Sequence, residues 1–159
     1  MDMQKKWKTY TFWIALAEGI GALAGWLTRE GEKLYRATAV KPPLEPPAVV
    51  FPIVWTILYA LMGIGAARVS LTEDSGARSR GLNLFVVQLA MNFLWTILFF
   101  NYQAYGAALA LLFALWIVIA WMTLEFQKSD TAAGWLQVPY LVWVLFALFL
   151  NYWVWKLNG

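Results

Sequence analysis

The sequence contains no cysteine and no histidine, and only 13% of its 159 residues are charged. The missing cysteine and histidine exclude disulfide scaffolds, Cys/His zinc sites, haem held by axial His or Cys, and histidine-activated nucleophiles. No metal site and no covalently bound cofactor are expected. The net charge of +3 lies mostly near the N-terminus, which argues against nucleic acid as a partner. Typical soluble domains are about 25% charged, so the scarcity of charge already points away from that class.

What the sequence does have is apolar and aromatic surface. Hydrophobic residues make up 62% of the chain, aromatic residues 18%, and there are 11 tryptophans. The mean hydropathy is +0.59. A soluble domain of this length could not bury so much apolar surface. The sequence therefore predicts an integral membrane protein whose surroundings are a lipid bilayer.

Five charge-poor stretches are each long enough to cross a bilayer, which takes about 20 residues per helix. They predict helices near 9–28, 47–70, 82–101, 104–125 and 134–156, in one domain that covers residues 1–159. The alternation that β-barrel strands require is absent. The predicted fold is an all-α membrane protein, a single bundle of five transmembrane helices. The first stretch also resembles a cleavable signal peptide, but Glu18 in its middle argues against cleavage.

The longest connection, residues 29–46, joins the first two predicted helices. It is rich in charge and ends in Pro42, Pro43, Pro46 and Pro47, which favour an extended, polyproline-like strap. A plain linker and a lid over the bundle are both consistent with this composition. With five helices the termini lie on opposite sides of the membrane. Lys and Arg are more frequent on the N-terminal side, which favours a cytoplasmic N-terminus.

Three predicted helices each carry a stripe of aromatic or amide side chains on one face. The stripes are Phe51, Trp55, Tyr59 and Met62; Gln88, Asn92, Trp95 and Phe99; and Tyr140, Trp143, Ala147, Asn151 and Val154. Amides within hydrocarbon should point inward, either to bond neighbouring helices or to line a ligand site. Three inward stripes would line an aromatic pocket suited to a planar polycyclic ligand. Other tryptophans fit an interfacial belt: Trp7, Trp26, Trp153 and Trp155.

The first predicted helix carries two further features. Glu18 is the only carboxylate in the middle of a span, and burial predicts that it is protonated or hydrogen-bonded. Gly21 and Gly25 form a GxxxG pattern beside it. Close packing within one chain and formation of a homodimer explain that pattern equally well.

The chain resembles the translocator protein family, whose bacterial members are called tryptophan-rich sensory proteins and whose mammalian member is the peripheral benzodiazepine receptor. Four motifs in order along nearly the whole chain carry the resemblance. They are Lys41-Pro42-Pro43-Leu44-Glu45-Pro46-Pro47, Phe51-Pro52-Ile53-Val54-Trp55-Thr56-Ile57-Leu58-Tyr59, Gln88-Leu89-Ala90-Met91-Asn92-Phe93-Leu94-Trp95 and Val138-Pro139-Tyr140-Leu141-Val142-Trp143. At Leu44 the family has a tryptophan, and we expect that this exchange removes one aromatic wall of the pocket.

The resemblance implies a pocket between the helices, under the first loop, that binds porphyrins such as protoporphyrin IX, sterols or benzodiazepine-type compounds. It carries over Trp55, Asn92, Trp143 and Ala147 in the bundle and Pro46 and Pro47 in the lid. Tyr35 corresponds to a family pocket tyrosine, with a spacing to Lys41 that is one residue longer. With the helix stripes, the predicted ligand site is Tyr35, Pro46, Pro47, Trp55, Tyr59, Gln88, Asn92, Trp95, Trp143, Ala147 and Asn151.

Four functions are compatible with these features. The first is a membrane receptor or sensor for tetrapyrroles, located in a bacterial cell membrane or, in a eukaryote, the outer mitochondrial membrane. The second is an enzyme that breaks down porphyrin with light and oxygen, with Trp55 and Trp143 as the candidate electron donors. The third is a transporter of porphyrin or sterol, and the fourth a structural scaffold. Leu150 to Lys156 also fits a cholesterol-binding pattern that is common by chance.

Overall fold

The computed structural model describes residues 2–159, which contain helices and turns and no strand. The helices are α1 (Met3–Leu27), α2 (Arg29–Thr38), α3 (Val50–Ser70), α4 (Gly76–Thr96), α5 (Tyr105–Ser129) and α6 (Thr131–Asn158). All except α2 are long and apolar enough to span a membrane, α4 together with the turn that follows it. The prediction of five transmembrane helices, and of a multi-pass membrane protein, is confirmed.

The five long helices pack as a closed ring in the order α1, α3, α6, α5, α4, with α4 returning to α1. Large side chains fill the centre, among them Met62, Phe85, Phe126 and Tyr140. The outward faces are apolar as well: Phe113, Leu124 and Val142 are each more than half exposed. Apolar side chains therefore cover both the inside and the outside of the ring. Such an outer surface is suited to contact with lipid and not with water.

The helices extend beyond the predicted bounds at several ends. Charged or polar residues outside the apolar stretch still continue the helix into the aqueous boundary, so a charge-free window underestimates its length. α4 begins at Gly76 rather than 82, where the Ser75 hydroxyl accepts a hydrogen bond from the Arg78 backbone N–H at 3.0 Å. α6 begins at Thr131 rather than 134, capped by Asp130. Both are N-terminal caps of the usual kind.

The lid, residues 29–46, differs from the predicted extended strap. Its first half is the helix α2, in which Glu32 and Arg36 form an ion pair at i,i+4. Only the proline-rich half lacks helical structure, and it turns at Leu44, whose φ is 65°. The segment that forms α2 is too short and too polar to be recognised as a helix from its sequence alone.

The end of α4 widens into a π-helical turn, Ile97–Asn101. Such turns often occur at functional sites because they re-aim side chains relative to a regular α-helix. Here the turn carries Phe99 and Phe100, whose ring centroids lie 4.8 Å apart. Both rings face the underside of the lid, next to Tyr35. The sequence pattern predicted a regular helix to residue 101 and missed this turn.

Asp130 joins α6 to α3 at the end of the bundle opposite the lid. Its Oδ1 accepts hydrogen bonds from the Ala133 backbone N–H at 2.9 Å and from Arg68 Nε at 3.1 Å. Burial favours the neutral acid, but the Arg68 and backbone bonds outweigh burial, and the pKa of Asp130 lies below its ordinary value. A lowered pKa in the folded state stabilises the fold above the ordinary value, and this stabilisation is lost as the pH falls through the lowered pKa.

We expect Asp130→Ala to lower the free energy of unfolding at neutral pH by about 1–2 kcal/mol, because it removes a helix cap and an ion pair. The loss should shrink as the pH is lowered, since protonation of the parent removes the same contribution. Chemical unfolding in detergent micelles across an acid pH series measures both. Asp74→Ala is the control, because that carboxylate is 97% exposed. An Asp130→Ala loss that stays constant at acid pH would contradict the prediction.

Candidate ligand-binding cavity

A cavity of about 440 Å³ lies beneath the lid, enclosed by α1, α2, α3, the end of α4 and α6. This volume is in the range of small-molecule sites. Aromatic rings from α2, α3, α4, its π-turn and α6 line it: Tyr35, Phe51, Trp55, Tyr59, Trp95, Phe99, Phe100 and Trp143. Ala22 and Gly25 of α1 and Pro52 and Thr56 of α3 also line the cavity and are exposed. The cavity is therefore open along the gap between α1 and α3.

The aromatic walls are held by contacts among the rings themselves. Trp143 meets Phe51 across the α3–α6 boundary with centroids 6.0 Å apart, and Trp55 lies 5.6 Å from Tyr59. On the opposite wall, Trp95 Nε1 donates a hydrogen bond to Asn151 Oδ1 at 3.0 Å. The planes of these rings are fixed before any ligand enters. A site with preset walls loses little conformational entropy on binding a rigid, flat molecule.

The floor of the cavity is a buried hydrogen-bond chain between α4 and α6. Asn92 Nδ2 donates to Tyr140 Oη at 2.9 Å, and that hydroxyl donates to Gln88 Oε1 at 2.6 Å. All three side chains are at most 2% exposed. Gln88 thus connects helices, as the inward amides were expected to do. Asn92 both joins this chain and lines the cavity.

The roof of the cavity is polar and belongs to the lid. Tyr35 Oη donates a hydrogen bond to Glu45 Oε1 at 2.9 Å, which ties α2 to the proline-rich half of the lid. Burial and the neighbouring Glu45 carboxylate raise the pKa of Tyr35 far above its ordinary value. The hydroxyl therefore keeps its proton, and the bond to Glu45 persists, at neutral and moderately alkaline pH.

The Lys41 side chain folds back onto the C-terminal end of α2 within the lid. Its ammonium donates to the backbone carbonyls of Tyr35, Arg36 and Ala39 at 2.8, 3.1 and 2.8 Å, and it lies 4.6 Å from the centroid of the Tyr35 ring. Carbonyls at a helix C-terminus lack partners within the helix, and a cation there is favourable. The Lys41 side chain thus supports the C-terminal end of α2, whose cap residue is Ala39. This accounts for a lysine at the start of the proline motif.

The lid is also fastened to the end of α6. Asn158, near the end of α6, accepts a hydrogen bond from the Val40 N–H at 2.8 Å and donates to the Val40 carbonyl at 2.9 Å. Asn101 of the π-turn donates to the Leu27 carbonyl at the end of α1 at 3.1 Å, next to the start of the lid. These contacts fix the position of the lid and of the α1 end that precedes it.

We expect Lys41→Met to fray α2 and to raise the hydrogen-exchange rate of amides in residues 32–41 about tenfold. The substitution keeps a chain of similar length but removes three hydrogen bonds, and a loss of about 1.4 kcal/mol corresponds to tenfold in local opening. Hydrogen exchange followed by mass spectrometry of peptides from the lid measures the change. Lys33→Met is the matched control, because Lys33 is exposed and pairs only with Glu30. Equal protection in the two variants would contradict this role of Lys41.

The cavity brings together most of the predicted ligand site: Tyr35, Trp55, Tyr59, Asn92, Trp95, Trp143, Ala147 and Asn151. Gln88 belongs to the hydrogen-bond chain of the floor but does not line the cavity. Pro46 borders only a smaller neighbouring cavity beside Lys41, and Pro47 borders neither. The family motif predicted both prolines in the pocket, but neither Pro46 nor Pro47 lines the main cavity, whereas the preceding Glu45 does.

Leu44 contributes no wall to the cavity. Leu44 is 78% exposed and lines neither cavity. Its positive φ, uncommon for a residue with a branched side chain, directs the side chain outward from the lid. The expectation that the exchange of tryptophan for leucine removes one aromatic wall stays a prediction.

The GxxxG pattern and Glu18, the two features of α1, have different surroundings in the structure. Gly21 packs against the Tyr59 ring of α3, so contact within the chain accounts for it, whereas a Cβ at Gly25 would meet no atom within 4 Å. The homodimer stays a prediction. Glu18 lines the cavity, half-buried, and has no hydrogen-bond or ion-pair partner among residues 2–159. Of the two states expected for Glu18, the hydrogen-bonded one is not formed, and the protonated one stays a prediction.

Several lining residues were missed by the sequence prediction. Among them are the charged roof residues Glu32, Arg36 and Glu45, and Phe100 of the π-turn. Nothing in a helical stripe identifies the roof residues, because their position depends on how the lid folds back over the bundle. The i,i+4 spacing of Glu32 and Arg36 is the one local signal that could have indicated α2.

Comparison with known proteins shows similarity along nearly the whole chain. The TspO/MBR family model matches residues 13–156. The chain is 37% identical to the tryptophan-rich protein TspO of Chlorobaculum tepidum over 157 residues, 98% of this chain and 99% of that protein. It is 38% identical to the tryptophan-rich sensory protein of Cereibacter sphaeroides over 98% of this chain and 95% of that protein. The translocator protein of Homo sapiens is 35% identical over 90% and 86%.

Proposed function

The chain belongs to the TspO/MBR family, and from that premise we propose that it is a membrane receptor or sensor whose cavity binds flat polycyclic ligands. Porphyrins such as protoporphyrin IX are the first candidates, and sterols and benzodiazepine-type compounds the next. The names of the relatives, sensory protein and translocator protein, are compatible with a protein that detects or handles a ligand.

The observation that carries the proposal is the cavity with its preset aromatic walls. Trp143 and Phe51 form one side, and Trp95 and Phe99 the other, with centroids of the latter pair 5.5 Å apart. Aromatic faces gain from stacking on a conjugated ring system beyond the burial of apolar area. Between the walls lies Asn92, which can fix the orientation of a ligand through one hydrogen bond.

The test is a titration of the protein in lipid nanodiscs with protoporphyrin IX, followed by the shift of the porphyrin Soret absorption band. We expect saturable binding in the parent protein. Trp143→Ala should weaken it about tenfold, because a stacking face is worth about 1–1.5 kcal/mol. Trp121→Ala is the matched control, since Trp121 is half exposed on the lipid face of α5 and outside the cavity.

Binding that does not saturate, or that Trp121→Ala weakens as much as Trp143→Ala does, would contradict the proposed site. Both variants must first show the helical content and thermal midpoint of a folded protein. This separates loss of the site from loss of the fold.

A second candidate, porphyrin breakdown with light and oxygen, is favoured by one observation. Trp55 and Trp143 both line the cavity, so both would lie beside a bound porphyrin. Photobleaching of the bound porphyrin under illumination is the test. Trp55→Phe and Trp143→Phe variants that bleach at the parental rate would exclude these tryptophans as electron donors.

A further inference from the structure

The first two turns of α1 carry three lysines without an acidic partner. Lys5, Lys6 and Lys8 all have exposed side chains. None of them forms an ion pair within residues 2–159. The nearby Asp2 caps the helix, where its side chain accepts a hydrogen bond from the Gln4 N–H at 3.3 Å. Three positive charges therefore lie close together without a paired carboxylate.

The other basic side chains at this end of the bundle, the end opposite the lid, are paired. Here α3 and α5 end and α4 and α6 begin. The pairs are Arg68 with Asp130, Arg78 with Asp74, and both Arg80 and Lys128 with Glu125. The unpaired positive charge of this end is therefore concentrated on α1.

Two of the three lysines belong to the lipid-facing side of α1. Lys5, Lys8, Phe12, Ala15 and Gly19 follow one another at intervals of three or four positions, so they share one helix face. All five residues are exposed. In a membrane protein this outward face contacts lipid. We call these five residues the α1 stripe.

Lys6 lies on a different face, above the inward side of α1. Trp13, seven positions further along, packs edge-on against Phe85 of α4 with ring centroids 5.5 Å apart. Ala17, eleven positions further along, is 0% exposed. The ammonium groups of Lys5 and Lys8 thus point toward the surrounding lipid, whereas Lys6 points toward the end of the bundle.

The α1 stripe has the length of one lipid leaflet. Eleven positions separate Lys8 from Gly19, or about 16 Å along an α-helix, and half of a hydrocarbon core is about 15 Å thick. A Cβ at Gly19 would meet no atom within 4 Å, so the lower stripe is open. Trp7, 69% exposed, lies at the lysine end, as expected at the level of the lipid headgroups.

From this arrangement we infer that the α1 stripe binds an anionic phospholipid of the adjacent leaflet. The lipid phosphate contacts Lys5 and Lys8, and one acyl chain lies along Phe12, Ala15 and Gly19. Two unpaired ammonium groups favour an anionic headgroup over a zwitterionic one, whose own positive charge opposes them. The inference concerns the outer surface of the bundle and does not depend on the ligand cavity.

The absence of cysteine allows a fluorescent probe to be attached at one chosen position. Thr11→Cys places a bimane label beside the α1 stripe without covering it, because Thr11 is exposed and not part of the stripe. The labelled protein is reconstituted into mixtures of phosphatidylglycerol and phosphatidylcholine, in which one lipid or the other carries brominated acyl chains. Bromine quenches the probe on contact. The depth of the probe cancels from the ratio of the two quenching values, which gives the relative binding constant.

We expect phosphatidylglycerol to be favoured at least about fivefold beside α1 at low salt. The preference should nearly vanish in about 1 M salt, where the Debye length is about 3 Å. Val142→Cys is the matched control, because Val142 is 60% exposed on α6, whose first half carries no basic residue. No preference for either lipid is expected there.

Variants of the lysines assign the preference to the stripe. The double variant Lys5→Gln, Lys8→Gln should lower it to about twofold or less. The double variant Lys5→Arg, Lys8→Arg should retain it, because both positive charges remain. Lys6→Gln is the matched single control and should retain most of it, since Lys6 lies on the other face of α1.

A preference that the double glutamine variant abolishes and Lys6→Gln preserves supports the inference. Equal quenching by the two lipids at Thr11 overturns it. A loss in Lys6→Gln as large as in the double variant also overturns it, because a diffuse surface potential then explains the preference. Weak quenching by both lipids at Thr11 but not at Val142 would show that a second copy of the chain covers the stripe, and overturns it too. The porphyrin titration tests the cavity independently of these outcomes.

Discussion

Gly63→Ala is expected to destabilise the protein by about 3 kcal/mol, the upper part of the range for overpacking. A Cβ at this position in α3 would lie 2.5 Å from Ile14 Cα, 2.8 Å from Ile14 N and 2.9 Å from the Trp13 carbonyl oxygen. All three are backbone atoms of α1, so no rotation of a side chain can relieve the overlap. α1 would have to move away from α3 as a rigid body.

Thermal unfolding in detergent micelles, followed by helical circular dichroism, measures the effect. Gly19→Ala is the matched control, because Gly19 lies in α1 and a Cβ there would meet no atom within 4 Å. We expect the control to unfold at or slightly above the parental temperature, since alanine is the better helix former. A Gly63→Ala variant as stable as Gly19→Ala would show that α1 and α3 are not in close contact.

Tyr140→Phe is expected to cost about 2–3 kcal/mol of stability, although it removes a single oxygen atom. The hydroxyl connects Asn92 to Gln88, and the exposures of Tyr140 and Gln88 are both 0%. Asn92 borders the cavity and can turn toward it. Gln88 has no such escape, so its carbonyl oxygen would be left buried without a donor. Average hydrogen bonds between membrane helices contribute only about 0.6 kcal/mol; the larger cost arises from the orphaned partner.

The same unfolding experiment tests this prediction, with Tyr102→Phe as control because Tyr102 is 73% exposed. The double variant Tyr140→Phe, Gln88→Met should regain part of the lost stability, since it removes the orphaned carbonyl together with its former donor. If the double variant is less stable than Tyr140→Phe alone, packing and not hydrogen bonding explains the effect of Tyr140.

The sequence by itself determined the membrane class, the five spans and the inward faces of three helices. Each of these follows from local properties: apolar stretches as long as a bilayer is thick, and residues such as Trp55, Asn92 and Trp143 repeating at helical spacing. Such properties are contained in the sequence of a single helix and do not depend on the neighbouring helices. They identified six of the eight aromatic rings that line the cavity before the helices were placed together.

Only the tertiary structure decided how those faces pair. The bonds of Tyr140 join residues 48 and 52 positions apart, and those between Val40 and Asn158 span 118 positions. Which partners meet is set by the order of helices around the ring and by the fold of the lid, neither of which a periodic pattern encodes. For the same reason Pro47 falls outside the cavity, and Glu18 lines it without a hydrogen-bond or ion-pair partner among residues 2–159. The local sequence determines which side chains a helix face carries. Long-range packing determines which residues those side chains contact.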